Sequence, residues 1–173
     1  KYDADSIRYY LCRNFVFGQD GDFSEKELIA RYNNELADKL GNLVSRVSAL
    51  IEKSGIEKCD NLLLKKLKLK EIEKKIENYE FDKALNEIFA FVDNCNEYVQ
   101  SNKIWETKDR KKLYELADSI KAIAILLWPF IPSSSEKIAK NFGFKIDFKD
   151  ISKPLSDKNK IKKGEILFRK ILK

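Results

Sequence analysis

Apolar residues recur in this chain at steps of three and four almost without interruption, and that spacing constrains the fold more than any other feature. They fall at 36, 40, 43, 47 and 50, and again at 81, 85, 88, 92, 95 and 99. A helix turning once in about 3.6 residues brings such positions to one side, whereas a half-buried strand needs strict alternation. "DADSIRYYLCRNFV" reads as a short helix with Asp3 or Asp5 at its start, followed by the turn "FGQDGDF". Ser24 and Glu27 form a capping box that opens a helix closed by Gly55. "LLLKKLKLKEIEKKIENYE" predicts a third helix with a solvated charged face, and a fourth begins at Phe81. After "SNKIWETKD" a fifth runs from about Asp109 to Trp128, stopped by Pro129 and Pro132. Ser134 or Ser135 is expected to cap a last short helix ending near Gly143. Near the C-terminus, "EILFRKIL" is expected as a strand or a short extended clip. The predicted fold is all-α, a helix bundle with a short, basic, partly extended tail.

The 173 residues suffice for one domain with a sizeable core. No apolar run approaches the roughly 20 residues that span a bilayer, and no targeting pattern opens the chain. "IAILLW" is expected as a buried helix turn, and Trp128 as core and helix-end packing. Cys12, Cys59 and Cys95 are too scattered for a zinc site and odd in number for a disulfide framework, which fits a reducing cytoplasm. Cys95 falls on an apolar helix face and is expected in the core. The absence of histidine removes the commonest general base and zinc ligand. With no methionine and a helix almost at its first residue, the chain is expected to be a piece of something longer.

The net charge of +6 is unevenly placed. Residues 1–144 hold 24 basic and 24 acidic side chains, so the excess lies in residues 145–173, with 10 and 4. Recognition of nucleic acid by the main body must therefore come from particular residues rather than bulk charge. "KLGNLVSR" supplies candidates. Asn42 and Arg46 share one helix face with Glu35, Lys39, Ala49 and Lys53, about 100° from the apolar stripe. Such a face is commonly only solvated. Yet the chain uses 28 lysines and six arginines, so an arginine here points to a need for a planar, forked donor. Trp105, in the connection before the fifth helix, is either a lid over the bundle end or a platform for an unstacked base.

"DADSIRYYL" followed by "FGQDGDFS", then "YNNELADKLGNLVSR", "FDKALNEIFAFVDNCNEYVQSNKIW", "WPFIPSSSEKIA" and "KKGEILFRKI" resemble, in that order, the helical part of methionyl-tRNA synthetases. The resemblance covers essentially the whole chain. It implies the all-helical anticodon-binding domain of a class I synthetase, working in the cytoplasm on tRNA(Met) with a CAU anticodon, without membrane or DNA. In that family the asparagine and arginine of the "GN-x-x-SR" helix face the anticodon loop, and the later tryptophan stacks on its first base. Those roles carry over to Asn42, Arg46 and Trp105, with Lys39, Asn102 and Lys103 as further candidate contacts. The chain departs from the family at Ile104, where many members have proline, and lacks the proline before Arg169.

The resemblance also implies a division of the chain. Residues 1–23 would end a stem-contact segment, 24–144 form the anticodon-binding bundle, and 145–173 form a basic tail packing back toward the catalytic domain of the same polypeptide. Gly41 is read either as room for the RNA loop or as a helix-packing contact. The family's HIGH and KMSKS motifs are absent, so the chain is expected to bind tRNA without activating methionine. It needs no cofactor itself; the parent enzyme uses ATP and Mg2+, commonly with structural zinc, in its catalytic part. Two competing expectations stand beside this one. The first is a helical protein-interaction module docking through Trp105 and the Lys-rich third helix. The second is the equivalent domain of a sister synthetase for valine, isoleucine, leucine or cysteine.

Overall fold

The computed structural model describes residues 2–172 and places α7 (Arg110–Leu127) at the axis, with α3 (Asn42–Ser54), α5 (Phe81–Ser101) and α8 (Pro132–Phe142) packed around it. Every residue of α7 from Leu113 to Leu127 is buried, as the near-continuous apolar run "IAILLW" requires. The remaining segments are α1 (Ala4–Asn14), α2 (Glu25–Arg31), α4 (Leu69–Glu77) and the single turn α6 (Ile104–Thr107). Among the described residues no strand forms, and no helix is long and apolar enough to cross a membrane.

A helix buried on all sides must satisfy any polar group it carries. Glu115 accepts hydrogen bonds from Leu62 N (2.9 Å) and Tyr98 OH. Asp118 accepts from Leu155 N (2.8 Å) and Asn61 Nδ2 (3.0 Å) and pairs with Lys121 (3.1 Å), whose ammonium also donates to Lys153 O. Tyr114 OH donates to Leu155 O (2.8 Å); burial pushes this phenol up to about 12. These groups fasten the loops around residues 61 and 155 to the axis.

The helix opened by Ser24 runs to Gly55, but its middle widens. Residues Tyr32–Gly41 form a π-helical segment between α2 and α3. Leu28, Tyr32, Leu36, Leu40 and Val44 are all buried and each four residues apart. In an α-helix every such step overshoots a full turn by about 40°, so the stripe would wind away from the core. Bonding from i to i+5 widens the turn and cancels that drift. The stripe read from sequence missed this: Tyr32, Ala37, Val44 and Ile51 also belong to the core, and Leu50 is only half-buried. Glu35, expected on the exposed face, turns inward to the Arg13 guanidinium (3.2 Å), Arg31 (2.8 Å) and Tyr9 OH.

Several expectations are corrected locally. Ser24 caps α2 by accepting from Glu27 N (3.3 Å), but Tyr10 OH, not Glu27, accepts from Ser24 N (3.0 Å). The third helix is shorter than its periodicity implies: Leu63–Lys66 is a 3-10 turn, and α4 starts only at Leu69. Its lysines meet α5, with Lys68 (3.4 Å) and Lys75 (2.6 Å) both reaching Glu87. Neither Ser134 nor Ser135 caps α8. Pro132 takes the first turn, and Asp5 of α1 accepts from Ser134 N (2.7 Å) and Ser134 Oγ (2.8 Å) across the fold. Trp128 is half-buried rather than core; its ring meets exposed Phe148 edge-on at 6.4 Å. Asp3 caps α1, Asp109 caps α7, Gly143 closes α8 in the left-handed region, and Cys95 is fully buried, each as expected.

The tail retraces α3 and the π segment in the opposite direction. Lys163 N bonds Glu52 Oε1 (3.3 Å), Phe168 meets Tyr32 edge-on at 5.9 Å, and Lys170 pairs with Asp38 (2.8 Å). The Asn33 amide exchanges two hydrogen bonds with Ile171, at 3.1 and 2.9 Å. From residue 163 to 171 the tail runs alongside helix residues 52 back to 33. The tail is extended with a bend at Leu167, yet no strand forms, because a helix face offers no ladder and only Asn33 imitates one.

Removing Asp118 strands Lys121 in the core, and such a loss costs about 3–5 kcal/mol. Asp118→Ala is expected to lower the urea midpoint sharply, while Glu80→Gln at the surface leaves it unmoved. Glu35 adds a pH dependence. Burial pushes its carboxyl up, but hydrogen bonds from Tyr9 and Arg13 and the charges of Arg13 and Arg31 outweigh that and hold it below the usual range. Its stabilisation is therefore full above the ordinary carboxylate value of about 4.3 and is lost as pH falls through the lower folded value. In urea titrations the gap between wild type and Glu35→Gln should be widest at neutral pH and shrink as pH falls below the ordinary carboxylate range.

Candidate nucleic-acid interface

Parallel packing sets the site. Asn96 of α5 donates to Lys39 O (3.3 Å), and Lys39 pairs with Asp93 (2.7 Å), which makes positions 39 and 96 level. Seven residues further along each helix, about 10 Å, Arg46 draws level with the turn at Lys103. By that register Arg46 points toward the end of the bundle that carries Asn102, Lys103 and Trp105, with Asn42 one turn behind Arg46. Asn42 is exposed and Arg46 half-buried, and neither side chain makes a hydrogen bond or ion pair among the described residues. Lys39 is held by Asp93, and Lys103 lies 3.9 Å from Glu106.

The presentation of Trp105 is built locally. Asn102 Nδ2 donates to Tyr98 O (2.9 Å) at the end of α5. Lys103 then turns left-handed (φ 43), one helical turn follows, and Lys108 turns left-handed again (φ 47). Ile104 is fully buried while Trp105, its neighbour, is 41% exposed. Burial of Ile104 anchors the turn, and the next side chain faces outward. Asp109 then caps α7, and Arg110 ties the connection to α3 through Ile56 O (3.2 Å) and a bond from Glu57 N to Arg110 O (3.1 Å). At 41% exposed, Trp105 is not a lid packed into the bundle end.

Gly41 opens toward the protein, not toward solvent. A Cβ there would sit 3.4 Å from Phe168 Cδ2 and 3.1 Å from Leu36 O, so this glycine makes room for the tail. Sequence reasoning missed Ile104 and Arg110 as supports for the site. The left-handed lysines leave no signal in a sequence, and a buried Ile beside an exposed Trp looks like any apolar pair. Among the described residues no set of three His, Cys, Asp or Glu side chains could hold a metal ion.

Residues 60–171 match the family model for the anticodon-binding domain of tRNA ligase. The chain belongs to that family. Residues 1–48 of the domain match a second model, for class I tRNA synthetases of the M type. A methionine–tRNA ligase of Caldanaerobacter subterraneus is 35% identical over 99% of this chain and 30% of its own length. The Bacillus subtilis methionine–tRNA ligase is 32% identical over 83% of this chain and 24% of its own. The domain thus spans less than a third of each of these two relatives. Its fold superposes on apo Mycobacterium tuberculosis methionyl-tRNA synthetase with a TM-score of 0.88, at 24% identity, over 98% of this chain and 39% of that one.

With Trp128→Phe, Trp105 becomes the only tryptophan, and acrylamide is expected to quench its emission strongly. With Trp105→Phe the remaining Trp128, covered by Phe148, should be quenched less. Equal quenching in the two variants would contradict the exposed setting of Trp105.

Proposed function

We propose that this domain reads the CAU anticodon of methionine transfer RNA as the RNA-binding part of a methionine–tRNA ligase. One observation carries the reading: Arg46, with no partner among the described residues, lies toward the end of the bundle that displays the exposed Trp105. RNA sequence is read in loops, where bases splay out, stack on aromatic rings and offer their Watson–Crick edges. The Trp105 ring supplies a face for the first anticodon base. The Asn42 amide oxygen accepts from a cytosine amino group, and the Arg46 guanidinium donates to the ring nitrogen or carbonyl. Lys39, Asn102 and Lys103 lie beside these groups as secondary contacts. The names of the relatives support methionine over the valine, isoleucine, leucine and cysteine enzymes.

The parent enzyme would join methionine to tRNA with ATP and Mg2+. Those ligands and any structural zinc are assigned to its catalytic part, in the cytoplasm, while this domain binds RNA without activating the amino acid. The opposite end of the bundle, about 30 Å from Trp105 along α5, offers a surface for that catalytic part. There Phe17 and Tyr79, both exposed, stack at 5.1 Å.

The test is titration with an anticodon hairpin bearing CAU and with the same hairpin changed at its first base. Trp105→Ala and Arg46→Ala are each expected to weaken CAU binding about 5- to 150-fold, from losses of about 1–3 kcal/mol. Arg46→Ala should also narrow the gap between the hairpins. Equal, feeble binding of both hairpins by the unaltered chain would refute the reading and favour a protein-interaction module.

A further inference from the structure

The charge excess of residues 145–173 has a defined place. Among the described residues of the tail only Lys153 and Lys170 form ion pairs, with Asp150 and Asp38. Lys158, Lys160, Lys162 and Lys163 are exposed. The backbone that carries them is nonetheless fixed. Lys162 N bonds Asn141 O (3.0 Å), Asn159 Nδ2 bonds Phe142 O (3.3 Å), Lys163 N bonds Glu52 Oε1 (3.3 Å), and Ile161 is buried between its lysine neighbours. Alternation along an extended chain then sends Lys160 and Lys162 outward while Ile161 points in. Lys163 shares an open cleft with Lys137 and Lys140 of α8, where Glu165 is the one acid among the lining residues.

This strap borders α3, the helix that carries Arg46. Arg46, Ala49 and Lys53 lie on one side of α3, and the bond from Lys163 N to Glu52 sets the strap beside Lys53, with the Glu52 carboxylate already engaged. We infer that the strap lysines, with Lys53, Lys137 and Lys140, form a second RNA-binding surface that tracks the phosphates of the anticodon stem without reading sequence. The inference rests on the proposed RNA-binding role and adds to it a separate site with separate chemistry. Fixed cations spaced along an extended backbone suit a polyphosphate strand, and the scarcity of acids between them removes competition from within the protein.

The experiment uses the full chain with Lys160→Gln, Lys162→Gln and Lys163→Gln combined, the matching triple arginine variant, and both hairpins at several salt concentrations. The glutamine triple should weaken both hairpins alike and reduce the slope of log affinity against log salt by about 2 to 3, near 0.7–0.9 for each phosphate no longer neutralised. Preference for CAU should stay unchanged, and the arginine triple should keep the wild-type slope. These lysines make no ion pairs among the described residues, so the variant's thermal midpoint should match wild type. An unchanged slope with CAU preference intact would overturn the strap site and leave the anticodon reading standing. A reduced slope with no CAU preference in wild type would uphold the strap and refute base reading. Failure of wild type to bind either hairpin would overturn both.

Discussion

The structure depends on a helix that has no outside. α7 is buried from Leu113 to Leu127, yet it carries Glu115, Asp118, Ser119 and Lys121 in that stretch. A dry core tolerates such groups only when each finds a partner, and here the partners are backbone and side-chain groups of distant segments. Glu115 and Asp118 fix the loop at residues 61–62, Asp118 also fixes residue 155, and Lys121 binds the carbonyl of residue 153. An axis built of apolar residues alone would bury as well but would leave those loops unplaced. The same axis helix reaches α5 through the bond between Tyr98 and Glu115, one turn before Asn102 and the turn that displays Trp105.

A second constraint runs along the helix that begins at Ser24. Its buried residues keep a step of four for too long to suit an α-helix, and the backbone widens at Tyr32–Gly41 to keep them inward. α3 resumes at Asn42, at the end of that widened segment, so the rotation of the Asn42–Arg46 face is set by where the π segment stops. The tail then seals the widened segment from outside, with Phe168 over Gly41 and Tyr32 and Asn33 clasping Ile171. The Asn42–Arg46 face and the lysine strap are thus carried by neighbouring structures that stabilise each other.

Much of this was legible in order of appearance along the chain. Periodicity located the helix starting at Ser24, α5 and α7 and found part of their buried faces; Asp3 or Asp5, Ser24 and Asp109 marked helix starts, and Gly55 and Gly143 marked ends. Arginine in a chain that otherwise uses lysine singled out Arg46. The failures share one cause, which is that each depended on a partner far away in sequence. Ser134 gave way to Asp5 as the capping group, Trp128 was left half-covered by Phe148, the Lys-rich segment was cut short by loop contacts with α7, and Glu35 was drawn inward by Arg13.

The sequence by itself determined the helical class, the approximate limits of most helices and the kinds of side chain available for reading RNA, because these follow from spacing within one or two turns. Only the tertiary structure decided that Arg46 is left without a partner among the described residues, that Ile104 is an anchor and Trp105 a display, and that the basic tail is a strap with its lysines facing out. Those outcomes rest on parallel packing, burial and hydrogen bonds between residues separated by tens of positions, where no local pattern carries the information.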